Sequence, residues 1–127
     1  MKNLVWFRND LRVHDNPALS SACSADNEVV AVYIVSEPQW EEHNDSVNKI
    51  SFWFRCLTEL EKELNKINIP LIILKSDFYK DHAKKLIEFS SKYDLENIFF
   101  NIEYPVDERD RDENVRKVFE SSKKGVF

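Results

Sequence analysis

Four short, mostly apolar runs of residues alternate with longer amphipathic segments along the chain. The runs are Leu4–Phe7, Val29–Val35, Leu71–Leu74 and Asn97–Ile102. Strands that are apolar at nearly every position, rather than at every second one, are typical of parallel sheets covered by helices on both faces. The pattern therefore predicts four buried parallel strands, and Val126–Phe127 is interpreted as the truncated start of a fifth.

The first two segments between these runs predict helices. One helix is expected over Pro17–Ala25, because Asn16 is a favoured N-cap residue and proline is favoured at the first helical position. A longer helix follows the second strand and ends before Pro70. Its apolar residues recur at three-and-four spacing, which predicts one buried stripe made of Ile50, Trp53, Phe54, Leu57, Leu60, Leu64 and Ile67.

Two more helices are predicted in the second half of the chain. The third is expected to be capped by Asp77 and to end near Asp94. The fourth is expected over Asp107–Ser122, with Gly125 as the residue just past its end. Its charge run is interpreted mostly as a solvated face, and its predicted buried stripe is Val115, Val118 and Phe119.

Alternation of strand and helix predicts an α/β fold of three α/β/α layers around a Rossmann-like parallel sheet. With right-handed crossovers, the expected strand order is 3-2-1-4, with room for the fifth strand beyond the fourth.

A charged turn, with Arg8, Asp10 and Arg12, links the first strand to the first helix. In open α/β sheets the carboxyl ends of the strands form the edge where ligands bind. These side chains could therefore contact a ligand, or they could pair with one another and only hold the turn.

Composition narrows the function classes. The 127 residues suit one domain, and the net charge of −5 argues against nucleic-acid binding by this chain alone. Gly125 is the only glycine, which excludes the glycine-rich dinucleotide and phosphate loops. Cys23 and Cys56 fit neither a metal spacing nor a disulfide framework. No segment resembles a secretory signal or a membrane span, so a cytoplasmic location is expected.

The residues of the charged turn carry a family resemblance. The motif Trp6-Phe7-Arg8-x-Asp10-Leu11-Arg12-x-x-Asp15-Asn16-Pro17-Ala18-Leu19 resembles the N-terminal signature of the DNA photolyase/cryptochrome family. Three further stretches resemble later parts of the same domain, so the likeness covers the whole chain in order. They are Gln39-Trp40 with His43-Asn44, Ile69-Pro70-Leu71, and Glu103–Asp112.

The resemblance implies a two-part protein. In this family an N-terminal α/β domain holds a light-harvesting antenna pigment, and a larger C-terminal helical domain holds FAD and the DNA-binding face. Residues 1–127 would be the antenna domain of an enzyme, a lyase that reverses pyrimidine dimers with blue light. The expected partners are the missing FAD domain and, through it, damaged DNA, with no membrane. No catalytic residue is expected in this fragment.

The resemblance also implies a pigment site. Its main residues would be His43, Asp107 and Glu108, with Trp40 and Asn44 as weaker members. Methenyltetrahydrofolate is favoured over a deazaflavin as the pigment. Folate-type members often have asparagine where this chain has Asp107, and a carboxylate cannot donate a hydrogen bond as an amide can.

Two alternative functions are also consistent with the sequence. A cryptochrome-type photoreceptor would share the domain and signal instead of repairing DNA, although the His43-Asn44 loop favours repair. A free-standing α/β nucleotide-binding module is the other. The gene beyond Phe127 distinguishes this module from the two-part protein, since a helical extension of some hundreds of residues would support the two-part protein.

Overall fold

The computed structural model of the chain describes residues 2–8, 10–23, 28–35, 47–76, 81–101, 103 and 106–127, with backbone only at 47–50, 53, 106 and 107. Strands and helices alternate through these residues. In chain order they are β1 (Lys2–Phe7), α1 (Pro17–Ala22), β2 (Glu28–Val35), α2 (Val47–Lys66), β3 (Leu71–Lys75), α3 (His82–Lys92), β4 (Asn97–Phe99), α4 (Val106–Ser121) and β5 (Gly125–Val126).

The five strands form one parallel sheet in the order β3-β2-β1-β4-β5. β1 is central, and its Leu4 lies opposite Val30 of β2 on one side and Ile98 of β4 on the other. The predicted α/β class and strand order are confirmed. Because all strands run the same way, every strand-to-helix turn lies at one edge of the sheet.

Each face of the sheet has its own hydrophobic core, because successive side chains of a strand point to opposite faces. Val5 and Phe7 of β1 lie in the core that α1 and α2 cover, whereas Leu4 and Trp6 lie in the core that α3 and α4 cover. The fully buried residues of the second core include two from α4, Val115 and Phe119, as predicted. The three predicted layers are therefore present.

The apolar stripe of α2 is shorter than its spacing predicts. Leu57, Leu60 and Leu64 are buried, but Phe54 is 44% exposed and Ile67 is 51% exposed. Spacing identifies the apolar face of a helix but does not say how far along that face its neighbours reach. The side chains of Ile50 and Trp53 lie outside the description.

Two predicted boundaries differ from the structure. β4 ends at Phe99 rather than at Ile102, and Ile102 lies outside the described residues. α1 ends at Ala22, where Cys23 closes the helix by donating its backbone N–H to Leu19 at 3.0 Å. Residues 24–27, into which α1 was predicted to continue, also lie outside the description.

The predicted role of Gly125 is wrong. Lys123 is the residue in the left-handed conformation after α4 (φ 60°), and the Lys124 backbone N–H donates to Phe119 at 2.9 Å. Gly125 instead opens β5, where an added Cβ would collide with the Asn97 side chain. The glycine is needed for close packing of β4 and β5 rather than for a turn.

The predicted cap of α3, Asp77, lies outside the described residues. The helix begins at His82 with Asp81 at the N-cap position, and the Asp81 side chain makes no capping hydrogen bond.

Candidate functional site

The β1–α1 turn is held by the side chains that its sequence motif specifies. Asn16 is buried, and its side-chain oxygen accepts the backbone N–H of Leu19 at 3.2 Å, so it caps α1 as predicted. Asp10 accepts the backbone N–H of Arg8 at 2.9 Å. The Arg12 side chain donates to the Asp15 backbone oxygen, at 3.2 Å, on the surface. Asp10 therefore holds the turn, as one of the two interpretations has it, whereas the Arg8 side chain pairs with Asp112 of α4 rather than within the turn.

Asn101, two residues beyond β4, ties the end of that strand to the same turn. Its side-chain nitrogen donates to Asp10 at 2.6 Å and to Asn16 at 2.8 Å. Its side-chain oxygen accepts the backbone N–H of Ala18 at 3.0 Å. The apolar run Asn97–Ile102 predicts this residue inside a strand. A polar side chain at the end of an apolar run was the one available signal.

Replacing Asn16 with alanine is expected to lower the free energy of unfolding by about 1–2 kcal/mol, because a helix cap and a partner of the partly buried Asn101 amide are lost together. Urea unfolding measures the change. Asn65→Ala, at an exposed position of α2, is the matched control and should stay within about 0.5 kcal/mol of the parent. Equal effects in the two variants would contradict the capping role.

Four charged side chains meet beside this turn and form a group, here called the ionic cluster, in which the arginines are buried and the carboxylates are partly buried. Its members are Arg8, Glu103, Arg111 and Asp112. Arg8 lies 2.6 Å from Asp112, and Arg111 lies 2.5 Å from Glu103 and 3.2 Å from Asp112. Arg8 also donates to the backbone oxygen of Asn101. The two positive and two negative charges balance, which is what burial of ions requires.

The Trp6 ring lies against both guanidinium groups of the ionic cluster. The ring centroid is 4.5 Å from the Arg8 guanidinium carbon and 4.9 Å from that of Arg111. Phe100 meets the same ring edge-on at 5.4 Å. Arginine stacks well on aromatic faces because its planar group is weakly hydrated, so Trp6 contributes to the site as well as to the core.

His82 is buried beside Trp6, with ring centroids 6.0 Å apart. Burial lowers the pKa of His82 to about 3, helped by the positive charges of Arg111 and Arg8. The imidazole is therefore neutral at pH 7. The sequence reading did not single out His82, because one histidine at the start of an amphipathic helix carries no distinguishing pattern.

Two members of the ionic cluster correct the prediction for α4. Its charge run was interpreted mostly as a solvated face, yet the side chains of Arg111 and Asp112 are only 4% and 12% exposed. Their neighbour Arg116 fits the prediction, since it is 42% exposed and pairs loosely with Glu113 and Glu120. Spacing along one helix cannot reveal that its charged residues pair with Arg8, which follows β1, and with Glu103, which precedes the helix.

The predicted pigment residues are only partly described. His43, Trp40 and Asn44 lie outside the described residues. Asp107 is described as backbone only, in the first turn of α4. Glu108, also in that turn, is half-buried. Since α4 follows β4, its first turn lies at the carboxyl edge of the sheet, beside the ionic cluster. The predicted approach of His43 to Glu108 stays a prediction.

Among the residues that the structure describes, two cavities open at this edge. One, of about 290 Å³, lies along the first half of α4 and is lined by Phe100, Glu103, Arg109, Asp112, Glu113 and Arg116. The other, of about 400 Å³, lies between α1 and the end of β4 and shares Phe100 and Arg116 with the first. Aromatic and charged groups thus line both cavities, which suits planar polar ligands better than aliphatic ones.

Within the described ranges, no cluster of histidine, cysteine, aspartate and glutamate side chains could hold a metal ion. Cys23 and Cys56 are free thiols. Of the helices described, none is long and apolar enough to span a membrane.

Comparison with solved structures finds the same fold. An archaeal photolyase from Sulfolobus tokodaii, solved with two FAD molecules, superposes with a TM-score of 0.86 at 30% identity over 99% of this chain and 28% of that protein. A cryptochrome from Synechocystis superposes equally well, with a TM-score of 0.86 over 98% of this chain and 26% of that protein. Its identity of 22% makes that likeness one of fold alone.

Sequence comparison points to one family. Deoxyribodipyrimidine photo-lyase from Buchnera aphidicola of Acyrthosiphon pisum is 44% identical over 117 residues, which are 91% of this chain and 24% of that protein. The Escherichia coli photo-lyase is 34% identical over 91% of this chain and 25% of that protein. The chain thus spans about a quarter of these relatives. The family model for DNA photolyase matches residues 3–126. The chain therefore belongs to the DNA photolyase family.

Proposed function

We propose that this chain is the antenna-binding N-terminal domain of a deoxyribodipyrimidine photolyase, which reverses pyrimidine dimers in DNA with blue light. The observation that carries the proposal is the family match over residues 3–126, together with relatives of that name whose length this chain spans by about a quarter. The catalytic FAD domain and the DNA-binding face would belong to the other three-quarters. The charge of this chain, −5, agrees with a domain that does not itself bind DNA.

The proposed pigment is methenyltetrahydrofolate, bound at the carboxyl edge of the sheet. A pterin ring offers N–H donors along one edge, and a carboxylate accepts such donors in strong, charge-assisted hydrogen bonds. Glu108 is suited to this role because it is half-buried in the first turn of α4. The positive end of the helix dipole there attracts the negative charge of a carboxylate. His43 would pack against the ring from the loop after β2.

Glu108 fits a folate because its carboxylate accepts the N–H groups that the pterin ring donates. When bound, the folate would absorb near-ultraviolet and blue light and pass the energy to a flavin. This chain would bind and orient the pigment by accepting its N–H groups on Glu108. Asp107 supplies a second carboxylate where an amide would also donate, so it would either face water or weaken the site.

Replacing Glu108 with alanine is expected to weaken methenyltetrahydrofolate binding about ten- to a hundredfold. A hydrogen bond to a charged acceptor is worth roughly 1.5–3 kcal/mol, which converts to that range. Titration of the purified gene product with the folate, followed by its near-ultraviolet absorption, measures the change. Glu120→Ala, on an exposed part of the same helix that lines neither cavity, is the matched control. Unchanged folate affinity in the Glu108 variant would show that Glu108 only stabilises the start of α4.

The 127 residues by themselves are expected to repair no DNA. Their −5 charge disfavours contact with phosphates, and the proposal assigns the flavin to another domain. The measurement is loss of pyrimidine dimers from irradiated DNA under blue light, with FAD supplied and the Escherichia coli enzyme as positive control. Dimer repair above the rate of the dark sample would overturn the division of labour proposed for the two domains.

A cryptochrome-type photoreceptor is the second candidate function. One observation favours it: a protein named Cryptochrome-1 from Spalax judaei is 31% identical over 72% of this chain. The photo-lyase from Buchnera has the higher identity and coverage, at 44% and 91%. The absorption spectrum and the dimer-repair assay of the intact gene product separate the two, since only a photolyase returns dimers to monomers under light.

A further inference from the structure

The ionic cluster fastens the amino end of α4 to two other segments of the carboxyl edge. Asp112 of α4 contacts Arg8, which follows β1, at 2.6 Å. Arg111 of α4 contacts Glu103, which precedes the helix, at 2.5 Å. Glu108 lies three and four positions before these two residues, so the three side chains share one face of the helix.

These attachments resist displacement of the helix. The four charged side chains are at most 14% exposed. Sliding α4 away would leave buried charges without partners, which is strongly unfavourable. The two guanidinium groups also lie within 5 Å of the Trp6 ring centre, which limits their own rearrangement. The first turns of α4 are therefore held at one position relative to β1.

We propose that Glu103 and Arg111 are positioning residues for the pigment: the ionic cluster sets the Glu108 carboxylate at the distance its hydrogen bonds to the pigment require. The inference rests on the proposed function, in which Glu108 accepts the donor edge of the folate. Hydrogen bonds of this kind need separations of about 2.7–3.2 Å, so a shift of about 1 Å in the helix start removes most of their value. The cluster acts through Glu108, because its own carboxylates, Glu103 and Asp112, are already engaged by Arg111 and Arg8.

A charge-balanced double variant tests the inference. Arg111→Met with Glu103→Gln removes one charge of each sign and leaves the Arg8–Asp112 pair in place. We expect methenyltetrahydrofolate to bind the gene product about tenfold more weakly in this variant. The absorption maximum of the bound pigment should also move toward that of free folate. The matched control, Lys62→Met with Glu59→Gln, removes an exposed pair of α2, 3.5 Å apart and away from both cavities, and should change neither readout.

A double-mutant cycle separates positioning from general stability. When Glu108 is already alanine, the cluster variant should cost less than about twofold in folate affinity, because the residue through which it acts is gone. An equal loss in both backgrounds would overturn the inference, as would normal folate binding by the cluster variant when Glu108→Ala alone is weak. Unchanged binding by Glu108→Ala would instead overturn the proposed function and this inference with it.

A second variant covers the case in which the double variant does not fold. Arg111→Lys keeps the positive charge but replaces the planar fork by a single ammonium, which cannot hold Glu103 and Asp112 in the same geometry. Weaker folate binding by folded Arg111→Lys protein supports the positioning role. Folate affinity equal to that of the parent protein rejects it.

Discussion

The Asp112→Ala variant is expected to lose about 3–5 kcal/mol of unfolding free energy, the cost of removing one partner from a buried ionic group. Asp112 accepts from both arginines of the ionic cluster, at 2.6 Å from Arg8 and 3.2 Å from Arg111. Without it, two buried guanidinium groups share the single carboxylate of Glu103. Both cations are too buried for water to replace the missing partner, since their side chains are 5% and 4% exposed.

Glu113→Ala is the matched control for this prediction. Glu113 is the next residue of the same helix, but its side chain is 66% exposed and its contact with Arg116 is 3.8 Å long. Exposed pairs of this kind contribute at most about 1 kcal/mol. Chemical denaturation of both variants gives the comparison. Losses of similar size would mean that the ionic cluster is not the source of the stability.

Acid is expected to destabilise the protein through His82. In the unfolded chain this imidazole has its ordinary pKa of 6.5, whereas in the folded protein burial, Arg111 and Arg8 lower the pKa to about 3. Between these values the unfolded state binds a proton that the native state does not. The contribution of His82 to stability is therefore complete above pH 6.5 and is lost as the pH falls toward 3.

The size of this effect follows from proton linkage. One proton of difference changes the free energy of unfolding by about 1.4 kcal/mol per pH unit. His82→Leu, a neutral residue of similar size, should flatten the loss of stability between pH 6 and pH 4 by about this slope. Comparing slopes removes the contribution of carboxyl groups, which both proteins share. Parallel pH profiles for the parent and the variant would show that His82 becomes protonated in the folded state.

The residues of the family motif have a structural role, which differs from the role of the residues that would bind the pigment. Asp10 and Asn16 of the opening motif are engaged in hydrogen bonds that build the β1–α1 turn. Arg8 is engaged in the ionic cluster. These side chains tie the β1–α1 turn to the end of β4 and to α4, so the motif has a structural role. Glu108, the proposed pigment acceptor, lies on a separate element that this network holds.

Much of the fold could be predicted from the sequence because the information is local. Apolar runs without alternation indicate strands covered on both faces, and Asn16-Pro17 marks the start of a helix within two residues. The right-handed rule for crossovers then leaves few strand orders, and the observed order is the predicted one. The buried stripe of Val115, Val118 and Phe119 was readable for the same reason, since three-and-four spacing identifies the face of a helix.

The tertiary structure alone decided which polar residues are buried. Arg111 and Asp112 belong to a charge run that looks solvated along the helix, and their partner Arg8 lies about a hundred positions earlier, at a separation of 104 residues from Asp112. His82 becomes a neutral group only because the fold buries it beside Trp6 and brings the positive charges of Arg111 and Arg8 near it. Asn101 is predicted inside the fourth strand, but it lies beyond β4 and hydrogen-bonds to the turn. Long-range pairing depends on the geometry of the whole sheet, which no local spacing encodes.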